Sequence, residues 1–128
     1  NVPYAIFTDP EVAVIGMSEK EVLNKGIDVK IGRFPFSANG RALTSDQYEG
    51  LVKVIVEKES ERIIGIHIVG NEASELISEG SLAIESNMKD ITLENTIHPH
   101  PTLSEAIKEA IKDALGRSIH TINRNETL

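Results

Sequence analysis

At 128 residues, with 40% hydrophobic and 26% charged residues, the chain has the size and balance of one domain with a real core. Its net charge of −7 opposes a nucleic-acid partner, because that affinity rests on Lys and Arg neutralising phosphates, and no apolar run is long enough to suggest a membrane span. With no cysteine, a disulfide, a thiol nucleophile and a cysteine-ligated metal are excluded within the chain.

No secretory or transit signal is visible, so cytoplasm is the expected location. The opening Asn1-Val2-Pro3-Tyr4 lacks a methionine and runs straight into an extended apolar segment, which reads as a piece of a longer polypeptide. Tyr4 to Thr8 and Val12 to Met17, rich in β-branched and aromatic residues around Asp9-Pro10-Glu11, predict two strands. Ser18 and Glu21 have capping-box spacing ahead of a short helix that Gly26 would end. Asp28 to Phe36 reads as a strand closing near Pro35. Ser37 to Gly50 shows no sustained periodicity and is expected to be mostly loop.

Leu51 to Glu57 and Arg62 to Val69 are the clearest strands. The short polar link between them favours an antiparallel hairpin, since parallel neighbours need a long crossover. From Ala73, the positions Leu76, Ile77, Gly80, Ala83, Ile84 and Met88 repeat at helical spacing. Asp90 to Ile97 predicts a helical turn and loop. A last helix carries Leu103, Ile107, Ala110, Ile111, Ala114 and Leu115 on one face and stops at Gly116. Strands grouped before helices predict an α+β fold, an antiparallel sheet covered by helices, with residues 1–117 as one domain and 118–128 as a polar tail.

The outstanding segment is His98-Pro99-His100-Pro101-Thr102-Leu103-Ser104-Glu105. Proline fixes its own φ and restricts the residue before it, so both histidines sit on stiff backbone, and either His-Pro bond could be cis. Imidazole suits proton transfer near neutral pH, and a carboxylate on its far nitrogen fixes the tautomer; His100 and Glu105 could form such a pair. Against this, Thr102 to Glu105 also fits a capping box, which is the commoner use of that pattern. Metal binding is a third reading, opposed by the lack of further ligands nearby. His67, alone among β-branched residues, reads as structural. Arg33 and Arg41 read as solvated, and no Gly-rich phosphate loop is formed.

This segment resembles the C-terminal active-site signature of the flavin-dependent pyridine nucleotide–disulfide oxidoreductases, above all its dihydrolipoamide dehydrogenase branch. Phe7-Thr8-Asp9-Pro10-Glu11-Val12-Ala13, Phe34-Pro35-Phe36 with Asn39 and Arg41-Ala42, Gly65 through Gly70, and Ala114-Leu115-Gly116-Arg117 agree in order, so the resemblance covers nearly the whole chain. It implies the FAD/NAD-linked reductase dimerisation-domain fold, a homodimer, and a His100–Glu105 acid/base pair lent to the partner subunit's active site. It also implies a supporting His98 near the flavin and a cis peptide before Pro101. The substrate implied is dihydrolipoamide or a lipoyl-bearing protein. FAD and NAD would belong to upstream domains together with the redox cysteines, so the isolated chain is expected to bind neither and to be inactive. Two rival readings differ: the same domain from a glutathione- or mercuric-reductase-like enzyme, and a non-catalytic interaction module.

Overall fold

The computed structural model describes residues 1–119, so the expected tail over 118–128 lies, from residue 120 onward, outside the described residues. Five strands form one antiparallel sheet in the order β1-β2-β5-β4-β3: β1 Tyr4–Ile6, β2 Val12–Gly16, β3 Val29–Pro35, β4 Leu51–Glu57 and β5 Ile63–Val69. The predicted hairpin is β4–β5, joined by the polar turn after Glu57 and irregular in register at Ile55 and Val56. The extra residue lies in β5, where Ile64 is passed over between the partners of Ile55 and Val56, while along β4 Val52, Val54 and Val56 alternate into one buried cluster and Ile55 is buried outside it.

Alternation gives the sheet one fully apolar face. Phe34, Val52, Val54, Ile66, Ile68, Ala13 and Ile15 are buried in a single cluster with residues of the two long helices. The first of these helices, α3 (Ala73–Glu85), packs on β5 and β2; the second, α5 (Glu105–Ala114), packs on β3 and β4. Helix α5 lies very close to the sheet, because Gly32 of β3 has no side chain to hold it off. A Cβ there would collide with the Ala110 carbonyl oxygen and the Ala114 nitrogen. The opposite face is partly closed by α1 (Glu19–Asn24). Its Glu19 accepts from Arg33 at 2.6 Å and from Lys53 at 2.9 Å, so Arg33, a surface residue as expected, is also ion-paired.

The predicted caps are present. Ser18 and Glu21 close the full capping box on α1, and Gly26 and Gly116 take the positive φ that ends their helices. His67 is half-buried, its Nε2 3.1 Å from the Met17 carbonyl oxygen, in keeping with a structural role. One expectation is corrected. Between Ser37 and Gly50 the chain makes a 3-10 turn, Phe36–Ala38, and a helix, α2 (Gly40–Thr44), before an irregular stretch. Five residues are too few for periodicity to register; the helix exists because Asn39 caps it, its Oδ1 accepting from the Ala42 amide at 3.0 Å.

Candidate functional site

The His98-Pro99-His100-Pro101 segment links α4 (Asp90–Asn95) to α5, and it is fastened at almost every second residue. Lys108 of α5 donates to the Thr96 carbonyl at 2.8 Å. His98 Nε2 lies 2.6 Å from Oε1 of Glu79 on α3. The Thr102 hydroxyl donates to the Pro99 carbonyl at 2.8 Å, and the Thr102 carbonyl accepts from Asn39 Nδ2 at 3.0 Å. The His100-Pro101 peptide is cis, as expected of one of the two His-Pro bonds; so, unannounced by the sequence, is Asp9-Pro10.

The two histidines of the segment part company. The His98 side chain is 7% exposed and the His100 side chain 77%. They do not converge as metal ligands would, and among the described residues no cluster of three metal-binding side chains occurs. Glu79 is a hydrogen-bond partner the sequence did not disclose, since it lies nineteen positions before His98. His98 Nδ1 is buried and has no partner.

His100 and Glu105 do meet. Nδ1 lies 3.0 Å from Oε1 and 3.2 Å from Oε2, and Oε2 also accepts from the Thr102 amide at 2.9 Å. Burial disfavours the charged form of Glu105, but the hydrogen bonds from Thr102 and His100 outweigh it and hold the carboxyl below its ordinary value of 4.5. An ionised carboxylate only accepts, so Nδ1 must carry a proton, and Nε2 is the nitrogen left to exchange one. Glu105 also occupies the first turn of α5, where the positive end of the helix favours an anion.

The capping-box reading of Thr102 and Glu105 survives only in its reverse half. Glu105 accepts from the Thr102 amide, but the Thr102 hydroxyl turns to Pro99 and leaves the helix start uncapped by any side chain. Structural and chemical uses therefore coexist in one carboxylate. Sequence reasoning missed Asn39 as part of this arrangement, although an Asn preceding Gly40-Arg41-Ala42 carries a readable cap signal.

A shallow depression elsewhere is lined by Asp9, Glu11, Asp46 and Glu49 with neighbouring polar residues, an unsuitable surface for a pyrophosphate. Among the described residues no helix is long and apolar enough to cross a membrane.

Residues 2–111 match the family model described as the pyridine nucleotide-disulphide oxidoreductase, dimerisation domain. The chain is 49% identical over 123 residues to a dihydrolipoyl dehydrogenase of Halobacterium salinarum, covering 96% of this chain and 26% of that protein. It is 50% identical over 119 residues to the mitochondrial dihydrolipoyl dehydrogenase of Dictyostelium discoideum, covering 93% and 24%. Among solved structures it superposes on LpdA from Mycobacterium tuberculosis with a TM-score of 0.82 and 29% identity, over 87% of this chain and 24% of that one. The HOCl-induced flavoprotein disulfide reductase RclA from Escherichia coli gives 0.84 at 26% identity, over 88% and 26%. The chain thus spans about a quarter of the length of the relatives it matches.

Proposed function

The chain belongs to the pyridine nucleotide-disulphide oxidoreductase dimerisation-domain family, in the form found in dihydrolipoyl dehydrogenases, and from that membership we propose that it lends His100 to a partner subunit's active site as acid/base. The observation that carries the proposal is the 3.0 Å contact of His100 Nδ1 with the Glu105 carboxylate on an imidazole that is 77% exposed. One nitrogen is held by an anion and the other is presented outward, the arrangement a general base needs to reach a proton on another molecule.

The substrate would be a dihydrolipoyl thiol, free or on a lipoyl-bearing protein. With a resting pKa of about 8.5 such a thiol is mostly protonated at neutral pH. His100 Nε2 accepts the thiol proton, Glu105 stabilises the imidazolium, and the thiolate becomes the nucleophile for disulfide exchange. His98, pinned by Glu79, and Pro101 complete the loop that would face the partner's flavin.

The sequence has no Gly-rich phosphate cradle, and one depression that the described residues form is acidic, both of which favour a dinucleotide site elsewhere. FAD and NAD are therefore assigned to other parts of the complete polypeptide, as is the redox cysteine pair, and the chain alone would be inactive. Residues 1–117 would be the dimerisation unit, 118–128 an appended tail, and the complete enzyme a cytoplasmic homodimer. The likeness to RclA supports a second reading, a related flavoprotein disulfide reductase with another substrate and the same use of His100.

The test is NAD reduction by dihydrolipoamide in the complete polypeptide beside its His100→Gln variant, with flavin absorbance as the control. We expect turnover to fall by roughly 10²–10⁴-fold with flavin retained. Wild-type turnover in the variant would refute the role. A flavin-loaded wild type inert towards dihydrolipoamide but active on another disulfide would favour the second reading.

A further inference from the structure

Of the groups that touch the His100 loop without belonging to its acid/base pair, Asn39 is the most constrained. It is 3% exposed, and its side-chain amide is engaged at both ends: Oδ1 accepts from Ala42 at 3.0 Å and Nδ2 donates to the Thr102 carbonyl at 3.0 Å. Neither end can turn without leaving a buried polar group unpaired. Thr102 is thereby gripped on both faces of its backbone, by Asn39 at the carbonyl and by Glu105 at the amide. The same Glu105 oxygen that holds the amide also lies 3.2 Å from His100 Nδ1.

We propose that Asn39 is a positioning residue that locks Thr102, and through it the Glu105 carboxylate, at the distance from His100 that proton transfer requires. The inference rests on the acid/base reading of His100. Asn39 follows β3 and the 3-10 turn, and β3 packs against α5. The amide therefore ties the loop to the same rigid layer from which Glu105 projects. Without it the Thr102 backbone would keep only its bond to Glu105, and the carboxylate would have to serve as anchor for that residue and as proton-relay partner at once. Oriented groups lose rate steeply with small displacements, so a residue that never touches substrate can still set turnover.

Asn39→Asp separates this role from helix capping. A carboxylate caps α2 as well as the amide does, whereas the atom replacing Nδ2 is an oxygen facing the Thr102 carbonyl oxygen. In the complete polypeptide we expect kcat for dihydrolipoamide to fall about 10-fold with KM within about twofold, and amide exchange over residues 98–105 to speed up about 10-fold. Added to Glu105→Gln, Asn39→Asp should cost less than about twofold more, because both act through one loop. Asn39→Ser, whose hydroxyl can cap but cannot reach Thr102, serves if the aspartate variant folds poorly.

Unchanged turnover and exchange in these variants, or a full multiplicative loss in the double variant, would overturn the inference. The His100→Gln control distinguishes the two failures. If that variant is dead while Asn39→Asp is fully active, only the positioning role falls. If it is active, the acid/base reading falls, and faster exchange in Asn39→Asp then supports a purely structural clamp.

Discussion

Gly32→Ala tests whether the approach of α5 to the sheet is what seats Glu105. The added methyl would overlap two backbone atoms of α5, the Ala110 oxygen and the Ala114 nitrogen, and stand 2.9 Å from the Ala114 Cβ. Backbone cannot rotate away as a side-chain tip can, so the helix must lift as a unit. Ala106, Ile107, Ala110 and Ile111 are fully buried beneath it, and a gap of roughly 0.5–1 Å forfeits a quarter to a half of each dispersion contact. Overpacking of this kind costs about 3 kcal/mol, the upper part of the usual range, because the obstruction is main chain. For a domain of this size that lowers Tm by roughly 10–20 °C. Thermal unfolding followed by far-UV circular dichroism measures it directly. In the complete polypeptide, turnover at a temperature where the variant is still folded should also fall, because Glu105 opens α5 and moves with it. A melting point within about 3 °C of the wild type would refute the close-packing argument.

Three other outcomes follow from the same geometry. Gly40→Ala, chemically the same change, should be tolerated or stabilising by about 0.5 kcal/mol in a denaturant titration, because its nearest neighbour would be Pro101 Cβ at 4.0 Å and its φ is not positive. Glu105 has a lowered carboxyl pKa, so its stabilisation is present above the ordinary value of 4.5 and lost as pH falls through the folded value. The difference in urea midpoint between wild type and Glu105→Gln should therefore shrink on acidification; a difference that grew would contradict the sign. His67 is shifted the other way in consequence. Burial, with Lys53 adding to it, lowers its pKa below 6.5, so the folded state resists protonation and loses stability as pH drops through that value. His67→Gln should flatten the loss between neutral pH and about pH 5, read as urea midpoints, and an unaltered slope would remove His67 as its source.

The residues themselves determined the strands, because β-branched runs alternating over Val52, Val54, Ile66 and Ile68 cannot bury one face in any other conformation. They also determined the long helices through the spacing of Ile77, Gly80 and Ile84 and of Ile107, Ala110 and Ile111, as well as the hairpin through its short polar link. The His100–Glu105 pair was legible for the same reason: five residues of chain across a helix start keep the two groups within reach, so local backbone nearly suffices to join them. A helix of five residues at Gly40–Thr44 was not, since its only signal is the single cap at Asn39.

What tertiary structure alone decided is which distant groups close on that loop. Glu79 meets His98 only because α3 lies alongside the segment, and Asn39 meets Thr102 only because β3 and α5 pack through Gly32. The exposure of one histidine and the burial of its neighbour two residues away likewise depend on what surrounds the segment, as does the fate of Arg33, which α1 draws into an ion pair. Such contacts are fixed by how layers stack after the chain has collapsed. Periodicity along a sequence records which face of an element is buried, but not against which residue it comes to rest.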